Sequence, residues 1–166
     1  MMRQHLFSAC VVSLLFLLVG GCDDDPTAIQ PPKTYDFKLS DLSGNEFQLS
    51  KHQGSVVIMN FFKTTCSHCQ AETPDLVKLY ETYKDDGLVV VGISPEPKDE
   101  LKSFRDAYEI TYPVLYDSTG VVSGFYQSSR PTPGLYFVDR EGIIRVSSFG
   151  QARTYEEFDA VVKSLL

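Results

Sequence analysis

Ser55-Val56-Val57-Ile58-Met59-Asn60-Phe61-Phe62-Lys63-Thr64-Thr65-Cys66-Ser67-His68-Cys69-Gln70-Ala71-Glu72-Thr73-Pro74 is the stretch on which the fold turns. Its first eight residues form a β-branched and aromatic run, the pattern of a central strand buried on both faces. From Cys69 to about Lys84, Leu76, Leu79, Tyr80 and Tyr83 recur at helical spacing. A strand therefore hands over to a helix across the two cysteines. At a helix start, unpaired N–H groups and the helix dipole favour negative charge. A thiol there loses its proton more easily, and the thiolate is the nucleophile. The spacing of two places the second thiol one turn along, within reach of an intramolecular disulfide. Cys66, at the mouth, is expected to attack a substrate disulfide, and Cys69 to resolve the mixed disulfide.

Outward from this segment the pattern alternates. Phe37–Leu39 and Glu46–Leu49 flank the turn-rich Asp41-Leu42-Ser43-Gly44-Asn45, which predicts an N-terminal β-hairpin. Leu88–Ser94 reads as a second buried strand, and Asp99–Tyr108 as a helix with Leu101, Phe104 and Tyr108 on one face. Gly134–Asp139 and Ile143–Phe149 straddle Arg140-Glu141-Gly142 as a further hairpin, and Tyr155–Leu165 closes as an amphipathic helix. The predicted architecture is α/β, a mixed central sheet with helices on both faces. The two strands joined by a helix should run parallel.

The Cys66–Pro74 segment resembles the active site of thioredoxin-like proteins of the TlpA/ResA type, whose signature runs Cys-x-x-Cys-x-x-Glu-x-Pro. Cys66, Cys69, Glu72 and Pro74 match it position by position. Arg130-Pro131-Thr132-Pro133-Gly134, with the hairpin that follows, resembles the cis-proline loop of the same family. The resemblance implies a thioredoxin-like fold and thiol–disulfide oxidoreductase activity over roughly residues 35–166. It implies Glu72 as a partly buried group handling the thiol protons, and Thr132 and Pro133 as the substrate-binding loop. It further implies no bound cofactor, a membrane thiol donor, and exported clients with cysteine pairs such as apocytochrome c. Ser67 and His68, between the cysteines, are candidates for tuning the redox potential, and Pro74 is expected to kink the helix. Two departures stand out: Thr65 replaces the family's usual Trp, and Pro131 adds a second proline beside the expected cis site.

The N-terminus carries a separate signal. Arg3 and His5 precede an apolar run from Leu6 to Val19, too short for a stable transmembrane helix. It ends in Val19-Gly20-Gly21-Cys22, which resembles the lipobox of bacterial lipoproteins. Residues 1–21 are thus expected to be a signal peptide, Cys22 the lipidated anchor to the bilayer, residues 22–34 a flexible tether, and residues 35–166 the folded domain. Asp23 favours retention at the inner membrane, on its periplasmic or outer face. Cys10 leaves with the signal and Cys22 is consumed by lipid, so Cys66 and Cys69 are the remaining thiols.

The net charge of −7, with no clustered Lys and Arg, argues against nucleic acid as a partner. A structural disulfide is a poor reading, because so short a loop constrains the unfolded chain little. A copper or other metal carrier lacks an evident further soft ligand, since the mature chain offers His52, His68 and Met59, and no metal site is expected. A peroxiredoxin-like peroxidase is expected to carry Thr three residues before its reactive cysteine, where Lys63 stands.

Overall fold

The computed structural model describes residues 33–166. The expected signal peptide, the lipidation site Cys22 and the tether as far as Pro32 lie outside the described residues. In chain order the domain contains β1 (Lys38–Asp41), β2 (Glu46–Gln48), β3 (Val56–Phe61), α1 (Ser67–Tyr83), β4 (Leu88–Ser94) and α2 (Lys98–Ala107). It continues with β5 (Val114–Tyr116), α3 (Val121–Gln127), β6 (Gly134–Val138), β7 (Ile144–Phe149) and α4 (Tyr155–Leu165). The strands form one sheet in the order β2-β1-β5-β4-β3-β6-β7. β3, β4 and β5 run parallel, and β6, β7, β1 and β2 extend the sheet antiparallel at its two ends.

Each face of the sheet closes over its own apolar cluster, and the alternation along β3 feeds both. Val56 and Ile58 point to the face where Leu76 and Leu79 of α1, Leu101 and Phe104 of α2, and Phe158 and Val162 of α4 pack. Val57, Met59 and Phe61 point to the other, against Phe37 and Phe47 from the N-terminal hairpin and Val122 and Tyr126 of α3. Asn60 is the polar exception in β3 and is buried. α4 is held at its start by a capping box between Thr154 and Glu157. The Tyr155 N–H donates to Asp75 Oδ2 on α1 at 3.0 Å.

The predicted strands, hairpins and helices are present within a residue or two of their expected ends. The Asp41 carboxylate folds the first turn by accepting the N–H groups of Ser43 and Asn45 at 2.8 Å each. Lys33 and Thr34, assigned to the tether, are tied to the domain: Lys33 bridges Ile143, and the Thr34 N–H and hydroxyl both donate to the Gly142 carbonyl. Two elements lie where the sequence reading placed none. β5 is three residues between Pro113 and Asp117, too short to show a period, yet it joins the N-terminal hairpin to the parallel core. α3 holds Gly124 in its interior and exposes Val121 and Phe125, so it lacks an ordinary amphipathic pattern. α1 is one helix from Ser67 to Tyr83 with Pro74 inside it, where the proline nitrogen has no hydrogen to donate to the Gln70 carbonyl. Among the described residues no helix is long and apolar enough to cross a membrane.

Leu76 is fully buried where α1 meets the sheet. Leu76→Ala is expected to destabilise the domain by about 2–5 kcal/mol in urea unfolding; a loss below about 1 kcal/mol would show that α1 is not held there by packing.

Candidate active site

β3 ends at Phe61, and the chain then turns through Lys63, Thr64 and Thr65 into the first turn of α1. Glu96, just beyond the C-terminal end of β4, holds that turn. Its carboxylate accepts the Thr64 N–H at 2.7 Å and the Thr64 hydroxyl at 3.3 Å. Gln70 on α1 donates its amide to the Thr64 carbonyl at 2.8 Å. Because β3 and β4 are parallel, their C-terminal ends lie at one edge of the sheet, so a residue 32 positions away reaches the loop before Cys66.

Cys66 is the N-cap of α1, with extended backbone, and its sulfur accepts the Cys69 N–H at 3.3 Å. The thiol itself points at the Thr132 carbonyl, 3.5 Å away. The Thr132–Pro133 peptide bond is cis. β6 is antiparallel to β3, with Gly134 opposite Phe61, so the start of β6 and the prolines before it arrive at the end of β3. The Gly150 N–H donates to the Pro133 carbonyl at 2.9 Å, and a Cβ on Gly150 would come within 2.8 Å of Pro131 Cγ. A cleft of about 680 Å³ opens beside the thiol between Phe62, Lys63, Gln127, Arg130, Pro131 and Thr132.

Cys66 and Cys69 are both free thiols, the first half-buried and the second fully buried. Partial burial opposes ionisation of Cys66. The Cys69 thiol, the Cys69 N–H, Thr132 and the His68 N–H together outweigh it and hold the Cys66 thiol below the ordinary range. Cys69 is displaced the other way, above all by burial and then by its contact with Cys66. His68 contributes to this balance through its backbone, since its side chain is exposed, as is that of Ser67.

Glu72 is fully buried one turn below Cys69, and neither carboxyl oxygen has a hydrogen-bond partner. Burial is the main cause that pushes its pKa up to about 8. Charge on Cys66 pushes the same way, while the Arg153 N–H and guanidinium and Asn60 draw it back. Asn60, with an unpartnered side-chain oxygen, and Tyr112, 3 % exposed, complete the surround. The site therefore places an acidified thiol at the surface above a thiol and a carboxyl that resist ionisation.

The fold thus brings together Cys66, Cys69, Glu72, Thr132 and Pro133 from the sequence-predicted set. It adds Asn60, Glu96, Gln70, Tyr112 and Arg153, which sequence reasoning did not single out. Asn60 had a signal, as a lone amide inside an apolar strand; Glu96 had none, because its partner is distant in sequence. Among the described residues no cluster of three or more His, Cys, Asp or Glu side chains is arranged to hold a metal ion.

The model of the AhpC/TSA family matches residues 32–147, spanning the thiol pair and the cis-proline loop. The chain belongs to the AhpC/TSA family. Within it, the chain is 30% identical over 151 residues to the thiol-disulfide oxidoreductase ResA of Geobacillus thermodenitrificans, covering 86% of each protein. It is 27% identical over 166 residues to ResA of Geobacillus kaustophilus, covering 99% of this chain and 94% of that one. A thiol:disulfide interchange protein of the thioredoxin family from Chlorobium tepidum superposes with a TM-score of 0.74 at 26% identity, over 82% of this chain and 97% of that one. The fold is thioredoxin-like, and this member of the family is a thiol–disulfide oxidoreductase.

The raised Glu72 pKa has a stability consequence. Between about 4.5 and about 8, the folded state keeps a proton that the unfolded glutamate has lost. Glu72 therefore lowers stability progressively as pH rises through that window. In urea titrations of the reduced protein, Glu72→Gln is expected to remove this fall, so that the variant gains on the wild type with increasing pH; parallel curves would refute the buried, proton-holding carboxyl.

Proposed function

We propose that this oxidoreductase is lipid-anchored in the bacterial cell envelope through Cys22. There it reduces disulfides of exported proteins such as apocytochrome c, and it is recharged by a membrane thiol donor. The observation that carries the thiol chemistry is the pairing of Cys66, at the N-cap of α1 against the Thr132 carbonyl, with Cys69 and Glu72 buried beneath it. The lipobox-like Val19-Gly20-Gly21-Cys22 supports the anchor. A structural relative at 26% identity and a TM-score of 0.67 is described as a secreted Mycobacterium tuberculosis disulfide oxidoreductase homologous to DsbE of E. coli, which fits an exported setting.

In this reading the Cys66 thiolate attacks one sulfur of the client disulfide. The client's other sulfur leaves as a thiolate, and a mixed disulfide to Cys66 remains. The backbone of the Thr132–Pro133 loop orients the client chain for that attack. Bonding Cys66 to the client removes the charge that opposed ionisation of Glu72. The carboxylate becomes available as a base when Cys69 must give up its proton. The Cys69 thiolate then attacks the Cys66 sulfur, closing the Cys66–Cys69 disulfide and releasing the second client thiolate. Two electrons pass to the client, and the proton taken by Glu72 passes to a departing thiolate. Ser67 and His68 adjust the potential through the turn they form between the cysteines.

The reduction potential of the pair, measured by thiol labelling in graded dithiothreitol and glutathione buffers, is expected near thioredoxin's, about −270 mV. A value near −120 mV would make the domain an oxidant of exported thiols. A pair that fails to equilibrate would favour a structural or metal-binding role. Cys69→Ser is expected to accumulate mixed disulfides with clients and Cys66→Ser to accumulate none; the reverse would exchange the two roles.

A further inference from the structure

The described residues include three exposed large apolar side chains, Tyr35 at 57%, Val121 at 66% and Phe125 at 56% exposed, and they share one face of the domain. Val121 and Phe125 stand four apart on α3, hence on one side of it. The Tyr35 ring lies against Phe125 with centroids 4.6 Å apart. Tyr126 fixes this arrangement by donating its hydroxyl to the Tyr35 carbonyl at 2.7 Å. From Ser118 to Ser129 the chain carries no charged residue, and Asp36, the exposed neighbour of Tyr35, has its carboxylate occupied in accepting the Gln48 amide at 3.0 Å and the Ser50 N–H at 2.8 Å. None of the three side chains lines the cleft beside Cys66.

The position of the patch says what covers it. The chain enters the domain at Thr34, bound to Gly142, one residue before Tyr35. From Cys22 to Pro32, about eleven residues span at most roughly 36 Å even when fully extended. An aromatic and aliphatic face on a helix that carries no charge of its own is suited to the boundary between headgroups and acyl chains.

We propose that Tyr35, Val121 and Phe125 form a membrane-resting face, which seats the domain on the bilayer at the root of its tether. The proposal rests on the reading of Cys22 as a lipid anchor. The anchor sets the distance from the membrane, and the face sets the orientation. Seated this way, α3 meets the bilayer, and the cleft walled by Ser123, Gly124 and Gln127 of the same helix opens beside the membrane surface.

The chain has no tryptophan, so Phe125→Trp supplies a single fluorescent reporter in the face itself. The protein from residue 22 onward, with Cys22→Ser and an N-terminal histidine tag, is captured on vesicles of phosphatidylethanolamine and phosphatidylglycerol containing a nickel-chelating lipid. The tag replaces the lipid, so the outcome does not depend on lipidation. The mass of the chain extracted from cell membranes reports lipidation separately. Vesicle capture is expected to blue-shift the emission of the introduced indole and to allow its quenching by brominated acyl chains, and Tyr35→Ser with Val121→Ser should abolish both effects. Emission that stays at its free-solution value on fully captured protein overturns the proposal. A blue shift that instead appears without vesicles as protein concentration rises also overturns it, and assigns the face to a second copy of the chain.

Discussion

β3 is buried on both faces and hydrogen-bonded along both edges, and the placement of every reactive group follows from that constraint. A one-residue slip of a strand so enclosed would carry every side chain to the opposite face, into a cluster packed for a different set. Its C-terminal end is therefore a fixed point. α1 starts there because the chain must turn back over the sheet, and its first turn carries the thiols. β4 is parallel and β6 antiparallel to β3, so the end of one and the start of the other reach the same edge. Glu96 and the Thr132–Pro133 loop are delivered to Cys66 by that geometry.

Within a single turn of α1 the environment reverses. Cys66 stands where unpaired N–H groups converge, and its thiolate is favoured. Cys69 and Glu72 lie below it on the core side, where burial disfavours charge on either. The division of labour between the two thiols needs no difference in residue type. Both are cysteines, and depth along the helix axis makes one acidic and the other reluctant. The carboxyl beneath them is left without hydrogen-bond partners, which costs stability and keeps a proton near the thiols.

The N-terminal hairpin and α3 form the second cover of the sheet. They bury Phe37, Phe47, Val122 and Tyr126, yet leave Tyr35, Val121 and Phe125 outside. A face packed this well on its inner side has no folding reason to be apolar on its outer side. The exposed trio sits at the point where the chain departs toward Cys22, which connects the far cover of the fold to its attachment.

The sequence by itself determined the periodic elements and the reacting pair. The apolar run of β3, the helical spacing of α1 and α4, the turn chemistry at Asp41–Asn45 and the Cys66–Cys69 spacing are local patterns, each set by residues close along the chain. Glu72 and the Thr132–Pro133 loop were legible only through resemblance to a motif, since nothing local says that residues 66 positions apart will touch. Tertiary structure alone decided the rest. β5 exists because a three-residue segment finds partners on both sides, and α3 because its inner face finds a sheet to cover. Asn60, Glu96, Tyr112 and Arg153 join the site because strand order and burial bring them there. The place of Cys66 at the helix start was legible in the sequence, whereas burial depth, strand direction and the distance between remote side chains are properties of the assembled sheet, and they set how Cys69 and Glu72 are held from ionising beneath it.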